Sequence, residues 1–186
     1  MSEIHLSQDE EAIIAALKDR VEKLEPAVEK ICGQLSLGIE GKDLTAVCRV
    51  LKEHPAMQFD YLADLCGVDY LGKHARRFQV VYNLYSISLN HRVRIKVDLQ
   101  EGEAIDSVTK IWNTANWHER ELFDLFGIEV LGHPDLKRIL MPEGWEGHPL
   151  RKDYPLQGKG QREDFSFIPE NERPPTRRPK VRSEEW

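Results

Sequence analysis

Residues 117–155 read WHERELFDLFGIEVLGHPDLKRILMPEGWEGHPLRKDYP, and no other part of the chain concentrates so many unusual residue types. The stretch opens with a short helix of charged and aromatic residues. It then contains two His-Pro steps and closes on a basic and acidic run that ends at Tyr154-Pro155. We expect the rest of the fold to be organised around this stretch.

The helical pattern begins at Asn116, a favourable N-cap residue, and Glu119 follows three positions later, as in a capping box. Gly127 is expected to end the helix, because glycine readily adopts the left-handed conformation found after helix C-termini. The apolar positions share one side of the helix and are Trp117, Leu122, Leu125 and Phe126. This side is predicted to be buried.

Several charges on this helix are close enough to interact. Arg120 and Asp124 are four residues apart, and Glu121 and Asp124 are three apart, so we expect Arg120 to pair with Asp124 while Glu121 adds negative charge nearby. A partly buried carboxylate must be paired or protonated, and two carboxylates with one arginine need a second cation. The candidates for it are Arg138, Arg151 and Lys152.

The His-Pro steps at 133–134 and 148–149 restrict the backbone, because proline fixes its own φ and moves the preceding residue away from the helical region. Apolar side chains lie between the two steps, at Leu136, Ile139, Leu140 and Trp145. This composition predicts a ribbon with a defined path that lies extended against a partner.

Three motifs in this stretch carry a resemblance to a known family: ERE-x2-D-LFG, HPDL-x-RIL and GHPLRKDYP. Together they resemble the signature of the 30-kilodalton subunit family of proton-pumping NADH-quinone oxidoreductase, respiratory complex I. Weaker similarity extends upstream to about Phe59. The signature positions, interpreted as structural and partner-binding, are Glu119, Arg120, Glu121, Asp124, Gly127, His133, Pro134, Arg138, Pro149, Leu150, Arg151, Lys152 and Asp153.

The resemblance implies a non-catalytic subunit of the peripheral arm, at the cytoplasmic face of the cell membrane. FMN and iron-sulfur clusters would belong to partner chains, and this chain would bind no cofactor or metal. The implied partners are the subunit that resembles the large subunit of nickel-iron hydrogenases, the terminal-cluster subunit and an iron-sulfur subunit, with the quinone site nearby. An equivalent subunit of a ferredoxin-, F420- or hydrogen-linked relative stays open, as do the donor, quinone and coupling ion.

Bulk properties narrow the function further. The formal net charge of −6 and the pI of about 5.7 argue against a nucleic-acid-binding protein. No stretch approaches the roughly twenty apolar residues of a spanning helix, and the start MSEIHLSQDEE lacks the regions of a signal peptide, so we expect a soluble chain that reaches a membrane only through its complex. Three widely spaced cysteines without a CxxC pair make a metal centre of this chain's own improbable.

The N-terminal segment has a narrow apolar seam that predicts one acidic helix over about residues 9–31, with Pro26 as a kink. The seam consists of Ile13, Leu17, Val21, Leu24, Val28 and Ile31. Two interpretations stay open for it: a helix that lies on the sheet, or a docking helix for another subunit.

The remaining pattern predicts an α+β domain over residues 1–145, with a mixed or mainly antiparallel sheet covered by helices, followed by an extended arm over 146–186 that wraps partners. The predicted strands are 34–40, 65–70, 78–89 and 92–99, the last two forming a hairpin. The predicted helices are about 43–53 and 104–114. Asp60, Asp64 and Asp69 are expected in turns or at the surface.

Two functions from other classes remain as alternatives. Glu119, Glu121 and Asp124, with His118, His133 or His148, could in principle serve a free-standing enzyme as acid and base. The chain offers no nucleophile motif, phosphate loop or dinucleotide glycines, so structural ion pairing is favoured for the carboxylates and backbone geometry for the histidines. An assembly adaptor that leaves the mature complex is the other alternative.

Overall fold

The computed structural model describes residues 5–142 and 144–156. Its helices are α1 (Gln8–Arg20), α2 (Leu44–Glu53) and α3 (Ala115–Phe126), and a 3-10 turn at Gly41–Asp43 precedes α2. Its strands are β1 (Ala27–Ile31), β2 (Gln34–Ile39), β3 (Tyr61–Asp69), β4 (Phe78–Ser86), β5 (His91–Leu99), β6 (Ile105–Asp106) and β7 (Val130–Leu131). The predicted α+β class is confirmed.

The five longer strands form one sheet in the order β1-β2-β5-β4-β3. Every pairing in it is antiparallel except that of β2 with β5. The predicted mixed, mainly antiparallel sheet is therefore confirmed, together with the hairpin of β4 and β5. Asn90 stands in the left-handed region at φ 55 just before β5, as hairpin turns require.

One face of the sheet and the inward sides of the helices form the core. In β4, Phe78, Val80, Tyr82 and Leu84 are buried, and in β5 every second residue from Val93 to Leu99 is buried with them. This period of two follows from the alternation of side chains along a strand. Helix α2 adds Leu44, Val47, Cys48 and Leu51, and α1 adds Ile13 and Leu17.

The single N-terminal helix predicted over 9–31 is wrong in its second half. Helix α1 ends at Arg20, and residues 27–31 form the edge strand β1 on β2. Pro26 explains the break, because it has no N–H and keeps the preceding residue out of the helical region. Cys32 and Gly33, at φ 51 and 77, then make a two-residue hairpin turn that the sequence interpretation missed.

Two further boundaries differ from prediction. Strand β3 begins at Tyr61, four residues before the predicted start, and it contains an irregularity between Leu62 and Asp64. Residues 104–114 are not helical, because β6 pairs with β7 and turns follow it. The buried apolar residues there imitate helical spacing, yet the Trp112 indole N–H donates to the Phe59 carbonyl at 3.0 Å, so tertiary contacts rather than helix bonds hold the segment.

Helix α3 packs directly on β3 at Gly67. A Cβ atom at this glycine would lie 2.8 Å from Leu122 Cδ1 and 2.8 Å from Phe126 Cδ2. Only a residue without a side chain lets the helix approach this closely. The contact fixes where the C-terminal end of α3 lies relative to the sheet, and the candidate site is built at that end.

Candidate functional site

The first turn of α3 differs from the predicted capping box. The helix begins at Ala115, and Thr114 at the N-cap makes no side-chain capping bond, so Asn116 lies inside the helix. The Asn116 N–H donates to the Asn113 carbonyl at 3.3 Å, which shows that helical turns start earlier than predicted. Trp117 was expected in the buried side but is 60% exposed.

Glu119 holds the preceding loop instead of capping its own helix. Its two carboxylate oxygens accept from the Val108 N–H and the Ser107 hydroxyl, both at 2.7 Å. The side chain is buried, and none of the ion pairs in the described part of the chain includes it. Burial raises the pKa of Glu119, and the two hydrogen bonds only partly oppose that shift.

Asp124 is the centre of the candidate site, and its side chain is fully buried. Arg138 Nη1 lies 2.7 Å from Asp124 Oδ1. Three successive backbone N–H groups, of Ile139, Leu140 and Met141, donate to Oδ2 at 3.0, 2.8 and 2.9 Å. The carboxylate thereby fixes the path of the chain after the first His-Pro step.

These donors keep the Asp124 carboxylate ionised. Burial by itself would raise the pKa, but the N–H groups of residues 139–141 and the Arg138 guanidinium together outweigh it, so the pKa lies below the ordinary aspartate value. Arg138 was one of the three predicted candidates for the second cation.

The predicted pair of Arg120 with Asp124 is absent from the structure. Arg120 donates to the carbonyls of Lys137 and Arg138, at 3.2 Å each, and its guanidinium carbon lies 5.2 Å from the centre of the Trp117 ring. Arg138 takes the place of Arg120 because it reaches Asp124 from the opposite side while its own backbone is held by Arg120. The Glu121 side chain is exposed.

The GHPLRKD motif caps the C-terminal end of α3, where the last carbonyls of a helix have no helical donor. Gly127 N–H donates to the Phe123 carbonyl at 2.9 Å, and His148 Nδ1 donates to that of Asp124 at 2.9 Å. The Leu150 N–H donates to the Leu125 carbonyl at 3.1 Å, and Arg151 Nε to that of Phe126 at 2.5 Å. Positive charge also suits this negative end of the helix dipole.

Gly127 ends α3 as predicted, and the structure shows why glycine is needed there. Its φ is 70°, in the left-handed region. A Cβ atom would also collide with the His148 imidazole and lie 2.9 Å from Arg151 Nη2. The glycine therefore serves both the helix end and the close approach of the GHPLRKD motif.

A second buried aspartate anchors the end of this motif. Asp69 is bound by Arg77 through two contacts, Nε to Oδ1 at 3.1 Å and Nη2 to Oδ2 at 3.0 Å. Its Oδ2 also accepts from the Lys152 N–H at 2.8 Å, and Arg77 Nη2 lies 2.7 Å from Asp153 Oδ1. The expectation of a turn or surface role for Asp69 is wrong, because its side chain is almost fully buried.

Arg77 and Glu101 belong to this cluster, and sequence reasoning missed both. Glu101 bridges Arg77 at 2.9 Å and Arg151 at 3.0 Å, and both guanidinium groups stack on the Phe78 ring. Burial raises the pKa of Asp69, but Arg77 and backbone donors lower it further, and Arg77 lowers the pKa of Asp153. No local spacing predicts such partners, because they are distant in sequence.

The signature positions thus gather in two groups with a third set apart. Asp124, Gly127, Arg138, Leu150 and Arg151 meet at the end of α3, while Lys152 and Asp153 reach the Asp69 cluster. Glu119 lies a turn from the start of the helix. His133 donates from Nε2 to the Asn116 carbonyl at 3.2 Å and accepts the Asp135 N–H at 3.0 Å, and Pro134 and Glu121 are exposed, while Pro149 is half-buried.

Residues 144–156, the described part of the predicted arm, run over the domain rather than away from it. Residues 157–186, where the remainder of the arm was predicted, lie outside the described residues. In the described part of the chain, no group of three or more His, Cys, Asp or Glu side chains is arranged to hold a metal ion, and no helix has the length and apolar character to cross a bilayer.

The fold and site together define an α+β domain whose C-terminal loop is locked onto one helix by buried aspartates. Residues 37–160 match the family described as respiratory-chain NADH dehydrogenase, 30 Kd subunit. The chain therefore belongs to the 30-kilodalton subunit family of respiratory complex I, as the motifs indicated.

Individual relatives agree with this family, and both are named as the equivalent subunit of NADH-quinone oxidoreductase. The relative from Rhizobium meliloti is 47% identical over 155 residues, which are 83% of this chain and 80% of the relative. The relative from Geobacter sulfurreducens is 48% identical over 132 residues, 70% of this chain and 80% of the relative.

Two solved structures share the fold. The trypsin-resistant fragment (1-134) of Nqo5 is 30% identical, with a TM-score of 0.58, and the match covers 69% of this chain and all of the fragment. A chain of the membrane-bound sulfane sulfur reductase, an archaeal respiratory membrane complex, gives a TM-score of 0.65 over 78% of this chain and 85% of that chain. At 20% identity, this second likeness shows the fold alone.

Proposed function

We propose that this chain is a structural subunit of the peripheral arm of a proton-pumping NADH-quinone oxidoreductase. In this proposal it binds no cofactor, and partner chains carry FMN and the iron-sulfur clusters that pass electrons from NADH to quinone. Its neighbours are the chain that resembles the large subunit of nickel-iron hydrogenases, the terminal-cluster chain and an iron-sulfur chain. It lies at the cytoplasmic face of the membrane and reaches the membrane only through the complex.

The observation that carries this proposal is the use of the buried carboxylates. Asp69, Asp124 and Glu119 each accept hydrogen bonds from this chain's own donors, and two of the three are paired with a buried or half-buried arginine. Groups that serve as catalytic acids or bases must instead reach a substrate. The carboxylates therefore support a rigid domain, which suits a subunit that positions its neighbours.

The test is affinity purification of the full chain, tagged, from detergent-solubilised membranes, followed by identification of the co-purifying chains. Recovery in fixed stoichiometry with flavin and iron-sulfur chains, and oxidation of NADH with quinone as acceptor, is the expected result. Recovery of the chain alone, or turnover by the purified chain alone, would overturn the proposal.

Donor assays on the same material separate the related functions. Oxidation of reduced ferredoxin, F420 or hydrogen, without oxidation of NADH, would assign the chain to the corresponding relative of complex I. Presence in an assembly intermediate but not in the active complex would assign it to an adaptor role. Each of these outcomes contradicts the proposed function.

A further inference from the structure

The locked segment presents large apolar side chains to solvent. Nine large apolar side chains are exposed in the described part of the chain, and five of them lie between residues 117 and 156. Trp117, Leu140 and Leu150 are exposed by 60%, 56% and 51%. We call these three the exposed apolar row.

The backbone beneath the two leucines is firmly held. The Leu140 N–H donates to the buried carboxylate of Asp124, and the Leu150 N–H donates to the carbonyl of Leu125, the next residue of α3. Both leucines are therefore attached to the same turn of α3, with their side chains directed outward. Fixed backbone lowers the entropy lost when such side chains bind a partner.

Trp117 lies on the same helix, seven residues before Asp124, which is on the order of 10 Å along the axis. Arg120 connects it to the locked segment, because its guanidinium stacks on the Trp117 ring and donates to the Arg138 carbonyl. The exposed apolar row thus follows α3 from its first turn to its capped end. Rigid aromatic and aliphatic side chains of this kind are typical centres of protein interfaces.

The charges beside the row indicate the chemistry of the occupant. Arg120 donates to carbonyl oxygens, and Lys152 contacts Asp69 through its backbone, so neither side chain makes an ion pair among the described residues. Two cations without acidic partners flank an apolar surface, although the whole chain has a net charge of −6. A complementary surface is apolar with carboxylates at its rim.

From this arrangement we propose that the exposed apolar row docks into an apolar groove with an acidic rim on a neighbouring protein chain of the peripheral arm. The inference rests on the proposed function and adds the surface and the chemistry of the partner. A second copy of this chain fits less well, because a two-fold contact would bring Arg120 and Lys152 toward their own copies. An anionic membrane fits less well, because Glu121 and Glu146 are exposed nearby.

The experiment compares three tagged full-length chains, purified from solubilised membranes in which each replaces the native chain. They are the unaltered chain, the double variant Leu140→Ser with Leu150→Ser, and the control Ile87→Ser, which changes a 66% exposed side chain on the β4–β5 turn. Serine keeps the backbone N–H groups that bind Asp124 and Leu125. Thermal unfolding of the isolated chains should agree within about 2 °C.

We expect the double variant to recover about tenfold less of its neighbours than the unaltered chain, with the control unaffected. Two further variants, Trp117→Ser and Lys152→Glu, should each lower recovery, and they keep the test decisive if the double variant unfolds. Equal recovery by the unaltered chain and all variants would overturn the docking surface and leave the proposed function standing. Recovery of no neighbour by the unaltered chain would overturn the proposed function itself.

The same variants examine the other occupants. Co-sedimentation of the unaltered chain with phosphatidylserine vesicles, lost in the double variant, would reassign the row to a lipid surface. A dimer of the purified chain in analytical ultracentrifugation, lost in the double variant, would reassign it to self-association. Either result would overturn a groove on a neighbouring chain as the occupant.

Discussion

Asp124 is the single residue on which the locked segment most depends. Replacing it by asparagine leaves Arg138 without its counter-ion and turns part of an acceptor toward N–H groups that already need one. We expect Asp124→Asn to lower the free energy of unfolding by about 3–5 kcal/mol, as when one partner of a buried ion pair is removed. Urea denaturation of the purified chain measures this.

The matched control is Asp135→Asn, which changes an aspartate that pairs with Lys137 at 2.7 Å on the surface, where both side chains are more than half exposed. Surface pairs contribute little, so no measurable change is expected. Equal stability losses for the two asparagine variants would contradict the role given to Asp124.

Glu119 behaves in the opposite way, because its pKa is raised by burial. The folded state then binds more protons than the unfolded state between the two pKa values, so this group's contribution to stability falls as pH rises through that window. Glu119→Gln accepts the Val108 N–H without carrying a charge. The variant should equal or exceed the unaltered chain in unfolding free energy at about pH 7.5, with the difference shrinking toward about pH 4.

Glu119→Ala separates the hydrogen bonds of this residue from its charge. Alanine leaves the buried Val108 N–H without its acceptor, and we expect a loss of about 1–3 kcal/mol. Chemical denaturation of both variants provides the comparison. An alanine variant as stable as the glutamine variant would show that the two hydrogen bonds do not hold the 107–109 loop.

At the scale of elements, the contact between α3 and β3 depends on Gly67. Gly67→Ala forces Leu122 and Phe126 to move, and overpacking of this kind costs about 1–3 kcal/mol. The control is Gly41→Ala, where the nearest atom, Val97 Cγ1, would lie at an ordinary 3.7 Å. Thermal unfolding should place only the Gly67 variant well below the unaltered chain; similar melting temperatures for both variants would argue against the close packing.

The cap of α3 by the GHPLRKD motif gives an element-scale comparison between adjacent residues. Arg151→Ala removes a charged hydrogen bond to the Phe126 carbonyl and the pair with Glu101, whose side chain is half exposed. We expect a loss of about 1–3 kcal/mol. This is smaller than the cost of stranding a buried carboxylate, since Glu101 stays accessible to water.

Lys152→Ala is the control for this cap, because Lys152 binds Asp69 through its backbone N–H, which alanine retains. Its free energy of unfolding should stay within about 0.5 kcal/mol of that of the unaltered chain. Urea denaturation of the two variants measures the difference. If Lys152→Ala were the more damaging change, the side-chain role given to Arg151 would be wrong.

For the whole molecule, the two buried aspartates predict how stability depends on pH. The pKa values of Asp69 and Asp124 are lowered in the folded state, so their contribution is complete above the ordinary aspartate value of about 3.9 and is lost as pH falls through the folded values. Unfolding free energies measured from about pH 7 down to about pH 2 should therefore decline steeply in the acid range.

The double variant Asp69→Asn with Asp124→Asn is the comparison for this pH dependence. It should start from lower stability near neutral pH and show a flatter acid decline, because two of the titrating groups are gone. An unchanged slope would indicate that other carboxylates cause the acid unfolding.

Local rules predicted those parts of the fold in which neighbours in sequence are also neighbours in space. The alternation in β4 and β5, the inward side of α2 and the stop of α3 at Gly127 all follow from periodicity or from glycine's backbone freedom, and the structure agrees. The helix predicted over 9–31 failed after Arg20 because Val21 and Leu24 are buried without being helical. The helix predicted over 104–114 failed because loop residues with helical spacing are held by Glu119 and Phe59.

The candidate site was predicted in its membership but not in its pairing. The motifs named Asp124, Arg138 and Arg151 correctly as members of one charged network, since a buried carboxylate requires a cation. Spacing along one helix favoured Arg120 as the partner, and the structure gives that place to Arg138. Asp69, Arg77 and Glu101 escaped prediction because the bonds between them and residues 151–153 span 24 to 83 positions.

The sequence by itself determined the class of the domain, the hairpin, the end of α3 and the family, because strand alternation, glycine conformation and rare motifs are local properties of the chain. Only the tertiary structure decided which donor reaches each buried carboxylate and which side chains of the locked segment face solvent. Those outcomes depend on how α3 packs at Gly67 and on backbone N–H groups, which every residue except proline carries, so side-chain identity alone does not reveal them.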